Sequence, residues 1–511
     1  MKLLRFYVGY YKVLKNLDIR FGRPTRTASD LPADTTHSID FLVGINGTGK
    51  STVLHALAHV FRALERGAPV TFPFELEYEV GVGQQLQHIN LSNALDRYAE
   101  GIPEIGELKV QVNGKVTSLS RDILPARIVA FTTGSERDWG LSYFLDKQNG
   151  ADQEAAANLT LGEQALLELP RTEDQGGDFN EFSPQSYEEE SKFLFIPSSH
   201  LSLVTLCGLL TDAARHDGTP RLQEVFRQAS IEKLAGFSLK FRLNEGVTSL
   251  SDRRAVIDLA RLATRSLQFG SDRLLVFDLT KSGLARQILA RYGEGLNFFI
   301  FLARMAMPIG KELPVLRKAS LFIRRVNSKD EASESPPLHL FQWLSDGEQS
   351  FLGRLCLFSL LGTEHALVML DEPEVHFNDY WKRQIVRLLD QMLRACSTHT
   401  LITTHSSIAL TDVEREDIAI LWRDGKYTSD FTRPRMQTFA ADPSDILVHV
   451  FGAPYATGAF SSEHIKDVID KSRSTRRRSK IQQKELKRLS RIVGPGYWSF
   501  LVRRELINDK K

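Results

Sequence analysis

The chain has 511 residues, 42% hydrophobic and 25% charged, with a formal net charge of +2. That length allows about two to four domains, or one large core with insertions, and the composition is that of an ordinary globular protein. Three cysteines, Cys207, Cys356 and Cys396, stand far apart in apolar stretches. They exclude a disulfide framework and a cysteine metal cluster and make a reducing cytoplasm the expected compartment. No apolar run reaches membrane-spanning length, and the opening "MKLLRFYVGYYKVLKNLDIRF" lacks a signal-peptide core.

Residues 3–21 and 38–43 alternate as strands do. "GINGTGKST" follows. Then comes "VLHALAHVFRAL", in which Val53, Leu54, Leu57, Val60, Phe61 and Leu64 recur at helical spacing. Residues 72–131 mix short alternating stretches with turns and predict further strands. Residues 135–192 are rich in Gln, Glu, Asp, Asn and Gly and predict a long, partly flexible insertion. Residues 200–310 predict mainly helix, and "SLFIRRV" and "LHLFQWL" predict strands around the polar loop "NSKDEASESPP". Further on, "ALVML" (366–370) predicts a buried strand and "DYWKRQIVRLLDQMLRA" an amphipathic helix. "TLITTHS" and "IAILW" predict strands, and "DPSDILVHVF" begins as helices begin, with an acid, a proline and a serine. No sustained heptad predicts a long coiled coil.

Charge is unevenly spread. Residues 152–190 hold eleven acids and one base, and residues 471–491 hold ten bases and one acid. Each block reads either as a solvated face or as a contact surface: a partner for the acidic one, phosphate backbone or a partner for the basic one.

Four motifs carry chemistry. Gly44 to Ser51 fits G-x-x-x-x-G-K-[ST] between a predicted strand and helix. Such glycines let backbone amides wrap phosphate oxygens, with the helix start adding its positive end. Lys50 would reach the β- and γ-phosphates and Ser51 would ligate Mg2+. "LSDGEQS" (344–350) precedes an apolar helix, and Ser345 with Glu348 reads locally as a capping box. "HALVMLDEPEVHF" places Asp371 and Glu372 at a strand end. Asp371 would hold Mg2+ through water or Ser51, and Glu372 would polarise an attacking water. "LITTHSS" ends a strand at His405, where a γ-phosphate sensor would sit.

The order and spacing of these motifs resemble the ABC-type ATPase, with its Walker A loop, signature, Walker B strand and switch histidine. The resemblance implies an α/β fold, an ABC-type P-loop ATPase with a mixed sheet, an antiparallel β lobe and a mainly helical insertion. It implies ATP and Mg2+ bound by Gly44, Asn46, Gly47, Thr48, Gly49, Lys50, Ser51 and Thr52. Ser51 and Asp371 would be the metal ligands, and Glu372, His405 and Lys50 the catalytic groups. Ser345, Gly347 and Glu348 would face the nucleotide of a second subunit, so that two chains sandwich two ATP molecules, with higher oligomers open. The expected organisation is an N-terminal ATPase lobe (1–134), an acidic insertion (135–199), a helical insertion with strands (200–339), a C-terminal ATPase lobe (340–455) and a basic extension (456–511).

The compact insertion, "YYKVLKNLDIRF" and "DEPEVHFN" most resemble the RecF and OLD-like ATPases, including ATPase subunits of the Septu, retron-associated and PARIS antiphage systems. That implies a cytoplasmic sensor ATPase acting on a separate effector, a nuclease, without a membrane partner. The alternative is a RecF-like repair ATPase that binds DNA through residues 471–491. No Toprim acid pair or HNH spacing follows the ATPase motifs, so no nuclease is expected in this chain. Asn378 stands where transporters carry the D-loop aspartate. "AFTTGSERDW" is the best place for a glutamine-loop equivalent. Tyr10 or Tyr11 against adenine, Arg5 or Lys12 near phosphate, and a polar interface role for His376 are weaker expectations, each with a structural alternative.

Overall fold

The computed structural model describes residues 1–511 except 23–36, 82–84, 96–100, 102, 135–138, 140–191, 216–221, 244–249, 281–282, 307–313, 326–337, 361–364, 394–396, 475–478 and 509–511. The acidic block, the loop 327–337, Cys396 and Arg476–Arg478 therefore lie outside the described residues. The chain forms two compact units, Met1–Ala440 and Ala441–Lys511.

In the first unit, β1 (Lys2–Tyr11), β2 (Leu14–Arg20) and β3 (Ser38–Val43) lead to α1 (Lys50–Arg66). Then follow β4 (Phe74–Val80), β5 (Gln87–Leu95), β6 (Glu104–Val112), β7 (Lys115–Thr117), β8 (Arg127–Thr132) and β9 (Phe193–Ile196). The insertion comprises α2 (Leu201–Ala214), α3 (Gln223–Gln228), β10 (Ile231–Arg242), α4 (Leu250–Leu262), β11 (Arg265–Phe269), β12 (Asp272–Asp278), α5 (Leu284–Tyr292), α6 (Gly295–Ala306), β13 (Leu316–Arg325) and β14 (Leu338–Leu340). The unit closes with α7 (Asp346–Leu360), β15 (Ala366–Asp371), α8 (Asp379–Leu393), β16 (His399–Thr403), β17 (Ile418–Asp424) and β18 (Tyr427–Thr432).

A 13-stranded sheet runs β7-β6-β5-β4-β1-β2-β18-β17-β3-β16-β15-β8-β9. Its β17-β3-β16-β15-β8-β9 half is parallel, and the β1, β2, β4–β7 part is antiparallel. Burial follows this division. All six residues of β15 and all five of β16 are buried, as a parallel strand covered on both faces requires. Strand β4, "FELEYEV", alternates buried and half-buried residues instead. The apolar stripe Val53, Leu54, Leu57, Val60, Phe61 and Leu64 of α1 is buried in one cluster with Leu42, Leu367, Met369 and Leu401 of the parallel strands and with Phe6, Leu76 and Leu91 of the antiparallel ones. The P-loop helix thus bridges both parts of the sheet.

Residues 200–310 are less helical than their sequence predicts. Three strands, β10 to β12, lie there and join β13 and β14 in an antiparallel sheet ordered β11-β12-β10-β13-β14. In β10, Phe237, Leu239 and Phe241 are buried, while Ser238, Lys240 and Arg242 are half-buried. That period of two marks a strand with one covered face. "LHLFQWL" is strand only over Leu338–Leu340 and then turns as a 3-10 helix.

Helices α2 and α7 pack through glycines. A Cβ on Gly208 would lie 2.5 Å from the Cβ of Cys356 and 2.6 Å from its carbonyl oxygen. Cys207 and Cys356, distant in sequence, are therefore both on this interface, buried and free. Gly208→Ala should destabilise the protein by about 1–3 kcal/mol through overpacking, read as a lower urea midpoint.

The second unit contains α9 (Pro443–His449), α10 (Ala459–Arg473), α11 (Lys480–Ile492) and α12 (Tyr497–Asn508). Ile465, Ile469, Leu489 and Val502 form its core. Asp442 caps α9 by accepting the Ser444 amide, with Pro443 in the first turn.

Candidate functional site

The carboxyl ends of β3, β8, β15 and β16 lie side by side, the position where open parallel sheets bind ligands. After β3 the chain turns through Gly44, Gly47 and Gly49, at φ +151°, +81° and +83°, a region costly for any residue with a Cβ. Space also forbids a side chain: a Cβ on Gly44 would meet Thr48 Oγ1 at 2.7 Å and Leu421 O at 2.8 Å. Thr48 Oγ1 donates to Ile45 O at 2.9 Å. The hairpin β17–β18 straps the loop from outside, with Arg423 Nη1 donating to Gly47 O at 3.2 Å and Thr428 Oγ1 to Thr48 O at 2.8 Å. Asn46 and Gly47 are exposed, and Ser51 and Thr52 half-buried, at the start of α1.

Lys50 is buried. Its Nζ donates to Gly44 O at 3.1 Å and Ile45 O at 3.3 Å. Burial lowers its pKa, against the pull of Glu372, Asp371 and Glu374. A buried ammonium that donates to carbonyls of its own loop is suited to an anionic ligand.

Asp371, at the end of β15, accepts three hydroxyl bonds: Ser51 Oγ to Oδ1 at 2.8 Å, Thr403 Oγ1 to Oδ1 at 2.6 Å and Thr132 Oγ1 to Oδ2 at 3.1 Å. The two threonines are its register partners in β16 and β8. Glu372 has φ +51°. Its amide donates to Thr403 Oγ1 at 3.0 Å and to Thr403 O at 3.1 Å, and its carbonyl accepts Thr133 Oγ1 at 3.1 Å. His405 Nε2 lies 3.0 Å from Glu372 Oε1, both side chains about one-third exposed. The bond from His405 holds Glu372 below the usual carboxylate range despite partial burial.

The structure therefore brings Lys50, Ser51, Asp371, Glu372 and His405 together. The residues present suit ATP and Mg2+: a glycine cradle, an anion-seeking lysine, and a hydroxyl–carboxylate pair of the kind that ligates the metal.

Ser345, Gly347 and Glu348 form a second group at the start of α7. The capping box is present, with the Ser345 amide donating to Glu348 Oε2 at 2.9 Å and the Glu348 amide to Ser345 Oγ at 3.3 Å. Arg325 Nη2 donates to Glu348 Oε1 at 2.5 Å. Burial pushes Glu348 up, but the bonds from Ser345 and the Arg325 charge outweigh it and leave its pKa lowered. A Cβ on Gly347 would come within 2.9 Å of the His376 carbonyl. His376 itself is exposed, at φ +72°.

Several weaker expectations are redirected. Arg5 is enclosed by Asp18 (2.7 Å), Glu77 (3.1 Å) and Glu75 (3.6 Å) and is thereby committed to the antiparallel strands. Tyr11 packs on Phe72 and His59. Tyr10 is 41% exposed and meets Tyr427 edge-on, and Lys12 lies over Tyr11. Asn378 caps α8, accepting the Trp381 amide at 2.8 Å.

Thr132, Thr403, Thr133, Glu374, Arg423 and Thr428 escaped the sequence reading. A signal existed for three of them: "FTT" and "ITT" end two predicted strands flanking "MLDE", which parallel pairing sets in register. No helix among the described residues is long and apolar enough to cross a membrane. Thr403→Val should cost about 1–3 kcal/mol, because buried donors and acceptors lose a partner. Thr403→Ser should recover most of that, both read as urea midpoints.

Residues 240–412 match the family model described as "AAA domain, putative AbiEii toxin, Type IV TA system". That segment includes Ser345, Asp371, Glu372 and His405 and leaves the P-loop outside. No curated protein sequence matches the chain. Among solved structures, the SMC head domain from Thermotoga maritima aligns at 13% identity and TM-score 0.34, over 85% of this chain and 100% of that one. A SmcHead bound to the C-winged helix domain of ScpA aligns at 10% and 0.35, over 85% and 98%. An Smc head domain with an extended coiled coil, bound to the C-terminal domain of ScpA, derived from Pyrococcus furiosus, aligns at 12% and 0.32, over 84% and 96%. The chain is thus a mixed α/β fold in which the P-loop, the Asp-Glu strand end and the histidine converge on one row of parallel strand ends.

Proposed function

We propose that this protein binds and hydrolyses ATP with Mg2+, and that two copies close around two nucleotides to switch a separate effector, a nuclease, in a bacterial antiphage defence complex. The observation that carries the ATPase reading is the joint placement of Ser51 on Asp371 and His405 on Glu372, 2.8 and 3.0 Å apart. Bound Mg2+ would neutralise charge on the β- and γ-phosphates. Lys50 would orient those phosphates, Ser51 and Asp371 would hold the metal, Glu372 would accept a proton from the attacking water, and His405 would fix Glu372 and sense the γ-phosphate. The signature groups Ser345, Gly347 and Glu348 serve the nucleotide of the second copy. A family description naming a putative toxin of a type IV TA system supports a regulated effector device.

One observation favours the second reading, a RecF-like ATPase on DNA. On α11, Lys480, Lys484, Lys487, Arg488 and Arg491 are exposed while Leu486 and Leu489 are buried, which leaves a basic face suited to phosphate backbone. Capture of a stoichiometric protein partner that survives nuclease treatment supports the effector reading. Nucleic acid without a steady partner, with binding that falls steeply with salt, supports the other.

Glu372→Gln should retain ATP binding, lower turnover by about 100-fold or more and accumulate an ATP-bound dimer in sedimentation. Wild-type turnover would remove Glu372 from the role of general base. Lys50→Ala should lose nucleotide binding. Ser345→Arg should bind ATP as a monomer, and normal ATP-dependent dimerisation of that variant would overturn the sandwich.

A further inference from the structure

Behind the Glu372–His405 pair stands a carboxylate that no motif uses. Glu374 lies on the turn after β15 and is 5% exposed. Its Oε1 accepts the main-chain N–H of His405 at 3.1 Å and also the hydroxyl of Thr404. Thr404 Oγ1 in turn accepts the Ser406 amide at 2.9 Å, and Ser406 Oγ accepts the Ala409 amide at 3.2 Å. Glu372 meets the imidazole of the same histidine at 3.0 Å. Two glutamates of "DEPE" thus grip one residue, Glu374 by its main chain and Glu372 by its ring.

The turn that carries Glu374 is itself fixed. Arg354 of α7 donates from Nη1 to the carbonyls of Pro373 and Val375, the latter at 2.8 Å. Its guanidinium lies 5.0 Å from the Phe377 ring centroid and 5.6 Å from that of Phe131. Arg354 is buried, and burial pushes its pKa down to about 10 against the pull of Glu374. A buried carboxylate is costly unless hydrogen-bonded and compensated. Here the donors are the Thr404 hydroxyl and the His405 amide, and burial still pushes the Glu374 carboxyl up.

We propose that Glu374 is a positioning residue for ATP hydrolysis: by fixing the main chain at His405 it holds the imidazole on Glu372. The inference rests on the ATPase reading above and adds to it a residue that touches neither nucleotide nor metal. Its effect passes through His405, so it belongs in kcat and not in nucleotide affinity.

Steady-state assays on the full chain test this. Glu374→Ala should lower kcat by about tenfold or more, since small displacements of a catalytic group are costly, with KM for ATP within about twofold of wild type. Glu374→Gln keeps an acceptor oxygen in place and should recover most of the loss. The double variant His405→Ala/Glu374→Ala should be no slower than His405→Ala alone, because both changes remove one function. Amide hydrogen exchange at His405 should quicken in Glu374→Ala and return toward wild type in Glu374→Gln. Wild-type kcat in Glu374→Ala, or fully additive losses in the double variant, overturns the proposal. Should Glu374→Ala fail to fold, Thr404→Val replaces it: kcat should fall while KM holds, and an unchanged kcat overturns the inference. If the wild-type protein turns over no ATP, the ATPase reading fails by itself. The grip is then judged by exchange, and an unaltered rate at His405 in Glu374→Ala refutes it.

Discussion

The Asp371 carboxylate is the point on which the site depends. It ends a fully buried strand, and three hydroxyls reach it from three other segments: Ser51 from the start of α1, Thr132 from the end of β8 and Thr403 from the end of β16. Each bond needs its segment in one register. A slip that brought Phe131 of β8 or Ile402 of β16 opposite Asp371 would leave the carboxylate without that donor. The same carboxylate therefore reports that the P-loop helix and the parallel strands are assembled. Thr403 extends the arrangement one residue further by accepting the Glu372 amide, which steadies Glu372 in a backbone conformation unusual for its type.

The P-loop looks local in sequence, but its shape is held from a distance. Residues Arg423 and Thr428 of the β17–β18 hairpin bind its carbonyls, and Leu421 O closes the space over Gly44. The carbonyls are occupied by the protein, and Lys50 holds two of them from inside. The Thr48 amide turns back to Ile45 O at 3.4 Å, and the other loop amides stand at a helix start, a place suited to anions.

At the start of α7, one serine would have two roles that compete. Within the chain, Ser345 Oγ donates to Glu348 and accepts the Glu348 amide, closing the helix start. In the proposed sandwich the same hydroxyl faces a phosphate of the second copy. Glu348 makes this workable because Arg325 also binds it, so its charge stays paired when Ser345 turns outward. Gly347 has a reason within one chain as well: the His376 carbonyl occupies the space of a side chain. Glu374, two residues beyond the Asp-Glu pair, is joined through its turn to Arg354 of this same helix.

The sequence by itself determined the P-loop, the Asp371–Glu372 strand end, the capped helix at Ser345 and the place of His405. These rest on short-range features: glycines where φ is positive, a continuous apolar run for a strand buried on both faces, and a serine three residues ahead of an acid. It also marked α1 and α8 by the spacing of their apolar residues. Only the tertiary structure decided which residues meet. Thr132, Thr403 and Asp371 are hundreds or tens of residues apart and become neighbours through parallel register, which no single stretch encodes. Arg5 looked available for phosphate until Asp18, Glu75 and Glu77 enclosed it, and Asn378 proved to be a helix cap. The strands β10 to β12 were hidden because short apolar runs suit a helix or a strand equally until a partner strand supplies their backbone hydrogen bonds. Glu374 was unreadable for the same reason: its acidic charge suggested solvent, and only the packing of α7 and the switch loop around it made it an interior group.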